Sequence, residues 1–204
     1  MEALLAGYRR FRDGIWPERR ALYQGLAQTG QKPLAAVVAC ADSRLDPSDI
    51  FSAGPGQLFV VRNVANLVPP YQPDAAYHGT SAALEFAVKA LGVPTLLVLG
   101  HAQCGGVQAL MRGDAGELSD FVMPWMGIAA RARARVLACD TAWPDQLTAC
   151  EHETVKVSLE NLRTFPWIAE REAAGRLALV GAYYGIASGV LSVLRADGVF
   201  VPAE

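Results

Sequence analysis

The stretch Leu34-Ala-Ala-Val-Val-Ala-Cys40-Ala-Asp42-Ser43-Arg44 decides the fold class of this chain. Its apolar run is short, unbroken and followed by polar residues, which is typical of a strand buried on both faces. Such strands belong to parallel sheets covered by helices, and ligands bind beyond the carboxyl ends of those strands. The stretch therefore predicts an α/β fold, with Cys40, Asp42 and Arg44 at the ligand-binding edge of the sheet.

A second stretch, Thr95-Leu-Leu-Val-Leu-Gly-His101-Ala-Gln-Cys104-Gly105-Gly106, repeats this arrangement. If the two strands are neighbours, the sulfur atoms of Cys40 and Cys104 and the imidazole of His101 can converge on one point. Thiolate and imidazole are ligands that suit zinc, and three protein ligands leave one coordination position open, as catalytic zinc sites do. The two stretches together predict a catalytic zinc site.

An acid–base pair and a double glycine accompany these ligands. An opposite charge within about 4–6 Å lowers the pKa of a carboxyl group, so Arg44 is expected to keep Asp42 ionised and oriented. Gly105 and Gly106 allow close backbone approach, and their amides could meet an anion at the start of a helix. The alternatives are an ordinary loop ion pair and a tight strand-to-helix turn.

The composition indicates one globular domain over residues 1–204, because 52% of the residues are hydrophobic and 19% are charged. A net charge of −2 argues against nucleic acid as a partner. No secretory signal begins the chain, and no apolar run approaches the roughly 20 residues needed to span a bilayer. The four cysteines lack framework spacing, which indicates a reducing compartment. A cytoplasmic location and no membrane partner are expected.

The rest of the chain predicts alternating strands and helices. Further strands are predicted over residues 57–61, 95–100, 177–184 and 190–194, and helices over 79–91 and most of 114–175. This alternation is typical of a central, mostly parallel sheet flanked by helices. His152 lies in the charged segment Glu151-His-Glu153 and is expected at the surface.

Residues 1–30 predict a helical arm ahead of the first strand. Apolar residues fall at helical spacing along its first half: Leu4, Leu5, Tyr8, Phe11 and Ile15. Trp16-Pro17 is expected to break this helix and begin a second one. The arm either covers its own sheet or packs on a second subunit, since subunits of soluble enzymes often pair with two-fold symmetry.

Cys-Ala-Asp-Ser-Arg at 40–44 and His-Ala-Gln-Cys-Gly-Gly at 101–106 resemble the zinc-site motifs of the β-class carbonic anhydrases. The segments at 55–66 and 180–184 are also similar to that family. The resemblance implies one Zn²⁺ per chain, held by Cys40, His101 and Cys104, with Asp42 and Arg44 as a catalytic dyad beside it. It further implies reversible hydration of CO2 to bicarbonate and a proton through a metal-bound hydroxide, by a homodimer or a dimer of dimers.

The resemblance is strongest to the plant-like branch of that family, and it implies a substrate pocket at the subunit interface. The implied pocket residues are Gln31, Phe59, Val64, Phe86 and Gly105. Phe86 stands where that branch has tyrosine, so the hydroxyl contact of that tyrosine is absent.

A second branch of the family binds regulatory bicarbonate near a tryptophan, an arginine and a tyrosine. Arg62 and Tyr184 match two of these positions, but Val37 stands at the tryptophan position. The resemblance therefore favours the open form, with water as the fourth zinc ligand, over the closed form with Asp42 on the metal.

Two other functions remain open at this point. The same fold and metal could act on a CO2 analogue such as carbon disulfide or carbonyl sulfide. In a non-catalytic zinc or redox protein, Cys40 and Cys104 could instead form a disulfide or belong to a closed metal site.

Overall fold

A computed structural model of the chain describes residues 1–74, 76–113, 120–139 and 145–203. The strands are β1 (Ala35–Cys40), β2 (Leu58–Asn63), β3 (Thr95–His101), β4 (Ala178–Tyr184), β5 (Leu191–Leu194) and β6 (Phe200–Pro202). They form one sheet in the order β2-β1-β3-β4-β5-β6. The first four strands in this order run parallel, whereas β5 and β6 add antiparallel pairs. The predicted mostly parallel α/β fold is confirmed, and β6 is a strand that the sequence analysis did not predict.

Helices cover both faces of this sheet. They are α1 (Glu2–Arg10), α2 (Trp16–Thr29), α3 (Pro47–Ile50), α4 (Gly79–Glu85), α5 (Gly105–Arg112), α6 (Val122–Met126), α7 (Ala130–Leu137), α8 (Asp145–Leu162) and α9 (Pro166–Ala173). The predicted helix at 79–91 is α4 continued by a π-helical turn over Phe86–Ala90. The predicted helical region 114–175 corresponds to α6 to α9, and its residues 114–119 and 140–144 lie outside the described part of the chain.

The central strands separate two cores because their side chains alternate between the two faces of the sheet. Val37 and Ala39 of β1 pack against α5, α6 and α7 on one face. Ala36 and Val38 pack against α4 and α9 on the other. Helix α8 contributes to both cores, with Cys150 in the first and Val155 in the second. Helix α8 therefore lies close to the carboxyl ends of the central strands, where Glu151 contacts Cys104.

The helical arm is continuous, and the predicted break at Trp16-Pro17 is wrong. A π-helical turn over Phe11–Ile15 joins α1 to α2, and the Trp16 amide donates to the carbonyl oxygen of Phe11, five residues back. Pro17 directly follows this π-helical turn, so the N–H that it lacks falls where the spacing of the helical hydrogen bonds changes. The apolar residues of the arm therefore lie along one continuous helix.

No helix in the described ranges is both long enough and apolar enough to cross a bilayer.

Candidate metal centre

Strands β1 and β3 bring the three predicted ligands to one edge of the sheet. Ala39 pairs with Leu99, so Cys40 and His101 both lie where these parallel strands end. Cys104 follows after a short turn in which Gln103 has a left-handed φ of 58°. The ligand atoms of Cys40, His101 and Cys104 all lie within 4.8 Å of one another, and the two sulfur atoms are 3.9 Å apart. All three side chains are buried, so the cluster is shielded from bulk water.

The imidazole of His101 is oriented for a metal. Its Nδ1 lies 2.9 Å from the carbonyl oxygen of Ala102, which fixes the proton on Nδ1 because a carbonyl oxygen can only accept. Its Nε2 is buried and has no hydrogen-bond partner among the described residues. An unpartnered ring nitrogen beside two sulfur atoms is the donor set that Zn²⁺ prefers, so the residues fit this ion.

The protonation of the cluster also suits a cation. The pKa of Cys40 is lowered, chiefly because the Cys104 thiol donates a hydrogen bond to it, although burial acts in the opposite direction. The pKa of Cys104 is raised for the same reason, since it is the donor of that bond. Burial would lower the pKa of His101, but the neighbouring Cys40 thiolate outweighs burial and raises it. The cluster thus holds negative charge on sulfur that a divalent cation would stabilise.

Asp42 and Arg44 form a bidentate pair next to the cluster. Arg44 Nε lies 3.0 Å from Asp42 Oδ1, and its Nη2 lies 2.7 Å from Oδ2. The Arg44 amide also donates to Oδ1 at 2.9 Å, and Nη2 donates to the carbonyl oxygen of Gln103. The pKa of Asp42 lies well below its usual range, first because of the Arg44 side-chain hydrogen bonds. Asp42 is therefore an oriented carboxylate at neutral pH.

Arg62 fixes the loop that carries this pair, a role that the sequence analysis did not predict. Its Nε donates to the carbonyl oxygen of Cys40 at 3.0 Å, and its Nη2 donates to that of Asp42 at 2.7 Å. The same nitrogen also donates to the carbonyl oxygen of Leu45. Arg62 thereby ties the end of β2 to the loop after β1.

Glu151 is the other residue at this site that the sequence analysis missed. It is 3% exposed, and its Oε1 accepts a hydrogen bond from the Cys104 amide at 2.9 Å. Its Oε2 accepts a hydrogen bond from the Tyr183 hydroxyl at 2.7 Å. Burial raises the pKa of Glu151. One signal existed in the sequence, since Glu151 follows Leu147 and precedes Thr154 at helical spacing on the apolar stripe of α8.

Two of the implied pocket residues lie beside the cluster. Gly105 begins α5 directly after Cys104. Val64 is 36% exposed and lies next to Gly106, where an added methyl group would come within 2.8 Å of its Cγ1. The indole of Trp125 donates to the Val64 carbonyl oxygen at 2.8 Å, which fixes this segment over α5.

The other three implied pocket residues lie away from the cluster of their own chain. Phe59 pairs with Ala36, four residues before Cys40, which is about 13 Å along the strand. Phe59 and Phe86 contact each other, with ring centroids 5.9 Å apart. Gln31 is exposed and precedes β1, at the opposite edge of the sheet. A single chain therefore does not bring these three residues to the cluster.

The prediction that His152 lies at the surface is wrong. Its ring stacks on Phe200 at 4.3 Å and meets Tyr183 edge-on at 4.4 Å. Burial lowers the pKa of His152 to about 4. The surface prediction rested on the two neighbouring glutamates. It failed because Glu151 points into the protein and β6 covers His152.

Comparison with known proteins places this chain in a family. The family model for carbonic anhydrase matches residues 35–191. Beta carbonic anhydrase 3 of Arabidopsis thaliana is 38% identical over 208 residues, which cover 100% of this chain and 80% of the relative. The chain belongs to the β-class carbonic anhydrases. The predicted family and enzyme class are thereby confirmed.

Solved structures of other β-carbonic anhydrases share the fold of this enzyme. The β-carbonic anhydrase CcaA superposes with a TM-score of 0.94 at 33% identity, over 100% of this chain and 99% of that one. A β-carbonic anhydrase from Coccomyxa, solved with acetazolamide, superposes with a TM-score of 0.80 at 26% identity, over 94% of this chain and 85% of that one. The likeness spans the arm as well as the sheet of this carbonic anhydrase.

Proposed function

We propose that this carbonic anhydrase catalyses the reversible hydration of CO2 to bicarbonate and a proton with one Zn²⁺ per chain. Cys40, His101 and Cys104 would hold the ion. The observation that carries the proposal is their convergence within 4.8 Å, with the buried Nε2 of His101 left without a partner among the described residues. Zinc bound here would supply Lewis acidity, which lets a water molecule lose its proton much closer to neutral pH.

Asp42 would orient the reacting water. Arg44 engages both carboxylate oxygens of Asp42, yet each oxygen keeps a lone pair that can accept one more hydrogen bond. Because Arg44 also reaches the carbonyl oxygen of Gln103, the carboxylate is held against the turn that leads to Cys104. This pairing supports the open form, since a carboxylate committed to Arg44 is a poorer candidate for the fourth metal ligand.

The substrate pocket would be completed by a second copy of the chain. Val64 and Gly105 lie beside the cluster of their own chain, whereas Gln31, Phe59 and Phe86 do not. The resemblance implies a site at the subunit interface, so the last three residues are proposed to line the site of the partner subunit. In that position Gln31 would hydrogen-bond a substrate oxygen, and the two rings would exclude water.

The arm is the proposed means of dimerisation. None of the residues from Glu2 to Thr29, all of which the structure describes, is buried. Leu4 is 74% exposed and Tyr8 is 59% exposed, although both lie on the apolar stripe. The arm therefore does not cover its own sheet, and packing on a second subunit is the alternative that its exposed stripe supports.

The sheet offers a surface that suits such an arm. An apolar groove of about 310 Å³ opens on one face, away from the metal edge. The residues that line it include Val37, Leu58, Leu97, Val180, Leu191 and Val193. Exposed apolar surface of this kind on two copies of the chain favours a homodimer, or a dimer of dimers, in a cytoplasmic enzyme.

Metal analysis together with stopped-flow CO2 hydration tests the function. The purified, reduced protein should contain one zinc per chain and hydrate CO2, and Cys104→Ser should lose both properties. Cys150→Ala is the matched control, because Cys150 is a buried cysteine outside the cluster and should retain both. A metal-free wild type with a Cys40–Cys104 disulfide would contradict the proposal in favour of a redox protein. Turnover of carbon disulfide or carbonyl sulfide without CO2 hydration would favour the other alternative.

A further inference from the structure

A buried carboxylate from α8 reaches the backbone of a proposed metal ligand. Glu151 Oε1 accepts from the Cys104 amide at 2.9 Å, and Oε2 accepts from the Tyr183 hydroxyl at 2.7 Å. The link joins residues 47 positions apart in the chain. Glu151 therefore connects α8, strand β4 and the turn that delivers Cys104.

The turn that receives this contact needs an external restraint. Gln103 has a φ of 58°, a left-handed conformation that is unfavourable for a residue with a side chain. Cys104 is 1% exposed and precedes the first turn of α5, so its amide is shielded from solvent and has no acceptor within that helix. Among the described residues, the Glu151 carboxylate is the group that accepts a hydrogen bond from this amide. A shift of this backbone would carry the Cys104 sulfur with it.

We propose that Glu151, held in place by Tyr183, is a positioning residue that fixes Cys104 at the geometry required for metal binding. The inference rests on the metal centre proposed above. It assigns to Glu151 a role that depends on the reach of its side chain and on its two hydrogen bonds. Its negative charge is not the property that the role requires.

Two conservative substitutions separate the effect of the length of the Glu151 side chain from the effect of its charge. Glu151→Gln keeps the length of the side chain and an oxygen that can accept from the Cys104 amide. Its new amide group can donate to Tyr183, whose hydroxyl also interacts with Thr148 and can donate there. Glu151→Asp keeps the charge but shortens the side chain by about 1.5 Å, so it cannot hold both partners.

The experiment measures the rate at which the zinc-loaded full chain releases zinc to a chromogenic chelator. Glu151→Asp and Glu151→Ala should release zinc about 10- to 100-fold faster than wild type, as expected when an outer contact of a metal ligand is lost. Glu151→Gln should stay within roughly threefold of wild type, because it keeps the hydrogen bond to the ligand backbone. Tyr183→Phe should release zinc several-fold faster, since the carboxylate loses its second anchor.

Cobalt substitution gives a readout that is independent of turnover. The thiolate-to-cobalt charge-transfer band should shift or weaken in Glu151→Asp and remain as in wild type in Glu151→Gln. Leu162→Ala is the control for general destabilisation, because Leu162 is buried on the same helix and belongs to the core on the other face. It should lower the melting temperature without changing either the zinc release rate or the cobalt spectrum.

The inference is overturned if Glu151→Asp retains zinc as well as Glu151→Gln does, since neither the length nor the charge of the side chain would then matter. If Glu151→Ala does not fold, the comparison of Glu151→Asp, Glu151→Gln and Tyr183→Phe still decides, and wild-type release in both Glu151→Asp and Tyr183→Phe overturns it. A wild-type chain that binds no zinc would overturn the proposed function and this inference together. A zinc-binding, active wild type with unchanged variants would overturn the inference alone.

Discussion

Asp42 has its charge fixed by one neighbouring residue. Arg44 contacts both carboxylate oxygens and supplies a backbone amide as well, so the pKa of Asp42 lies below its usual range. Because the folded pKa is below the unfolded value of about 3.9, this pairing stabilises the fold above that pH and loses its effect as the pH falls further. Across the working range of an enzyme near neutrality, Asp42 is thus a permanent hydrogen-bond acceptor.

Asp42→Asn should lower kcat/KM for CO2 hydration by on the order of 10²-fold, because an amide cannot accept hydrogen bonds on both of its terminal atoms. Zinc content should change little because Asp42 is not a proposed ligand, whereas the melting temperature should fall slightly because the ion pair with Arg44 is lost. Stopped-flow hydration and metal analysis provide the measurements. Asp46→Asn is the matched control: Asp46 caps α3 through the Ser48 amide, a task that asparagine also performs. Equal activity in both variants would rule out the proposed role of Asp42.

His152 makes stability depend on pH in a predictable direction. Its folded pKa of about 4 lies below the unfolded value of about 6.5, so the unfolded chain binds the extra proton first. The stabilisation is complete above pH 6.5 and is lost as the pH falls toward 4. His152→Phe keeps a ring against Phe200 and removes the titration. The loss of unfolding free energy between pH 7 and pH 5 should shrink by on the order of 1 kcal/mol relative to wild type.

Urea unfolding of the reduced, metal-free proteins at the two pH values measures this difference. The same pH difference in His152→Phe as in wild type would contradict the prediction.

The start of α5 determines how closely this helix packs against the segment that follows β2, next to the proposed metal centre. Two consecutive glycines begin this helix, but they meet different surroundings. A methyl group added to Gly106 would lie 2.8 Å from Val64 Cγ1 and 3.1 Å from Ala65 Cβ. One added to Gly105 meets no described atom within 4 Å. Gly106 is therefore required for the close approach of α5 to the segment after β2.

Gly106→Ala should destabilise the protein by about 1–3 kcal/mol through overpacking next to the metal centre. Gly105→Ala, its matched control, should be neutral or slightly stabilising, because alanine favours a helix over glycine. Chemical denaturation of both variants gives the comparison. Equal stability of the two variants would show that α5 can shift away from Val64 without loss.

The strand-end pattern explains what sequence reasoning could and could not reach. The convergence of Cys40, His101 and Cys104 was predictable because each position depends only on local sequence, an apolar strand and the residues that follow it. Glu151 and Arg62 were not predicted as site residues, since their roles depend on contacts with residues 47 and 22 positions away. The break expected at Trp16-Pro17 was wrong because a π-helical turn directly before it accommodates the proline. Such a turn has no clear sequence signal.

The pocket prediction shows a second kind of limit. Phe59 and Phe86 were assigned from the resemblance, and the structure places them next to each other but distant from the metal edge of their own chain. Within one chain these rings cannot reach the cluster, because the pairing of Phe59 with Ala36 fixes their distance from Cys40 along the strand. Their role stays a prediction that depends on how two copies assemble.

At the scale of the whole molecule, the arm and the open groove on the sheet support the proposal that the working unit contains more than one chain. The arm exposes Leu4, Tyr8 and Leu22, and the groove exposes apolar residues of five strands. Burying both surfaces in one interface would cover two exposed apolar areas of the molecule. Assembly and activity should therefore be lost together.

Leu22→Asp should convert the assembly to monomers and abolish most CO2 hydration, because a charge buried at an apolar interface is strongly unfavourable. Zinc content should persist, since the three ligands come from one chain. Light scattering during gel filtration, with hydration assays on the same fractions, measures both properties. Gln24→Asp adds the same charge to an exposed position on the same helix and should leave both unchanged. An active monomer would contradict the shared pocket.

The spacing of the sulfur pair has a consequence for biosynthesis. Cys40 and Cys104 meet across 64 positions of the chain, and the carboxylate behind Cys104 comes from 47 positions further on. A polypeptide emerging from the ribosome consequently exposes its first thiol long before the complementary ones exist. Metal capture by the proposed ligands would therefore have to wait until β3 has been synthesised and has docked beside β1, and the restraint on Cys104 would follow only after α8 has been synthesised.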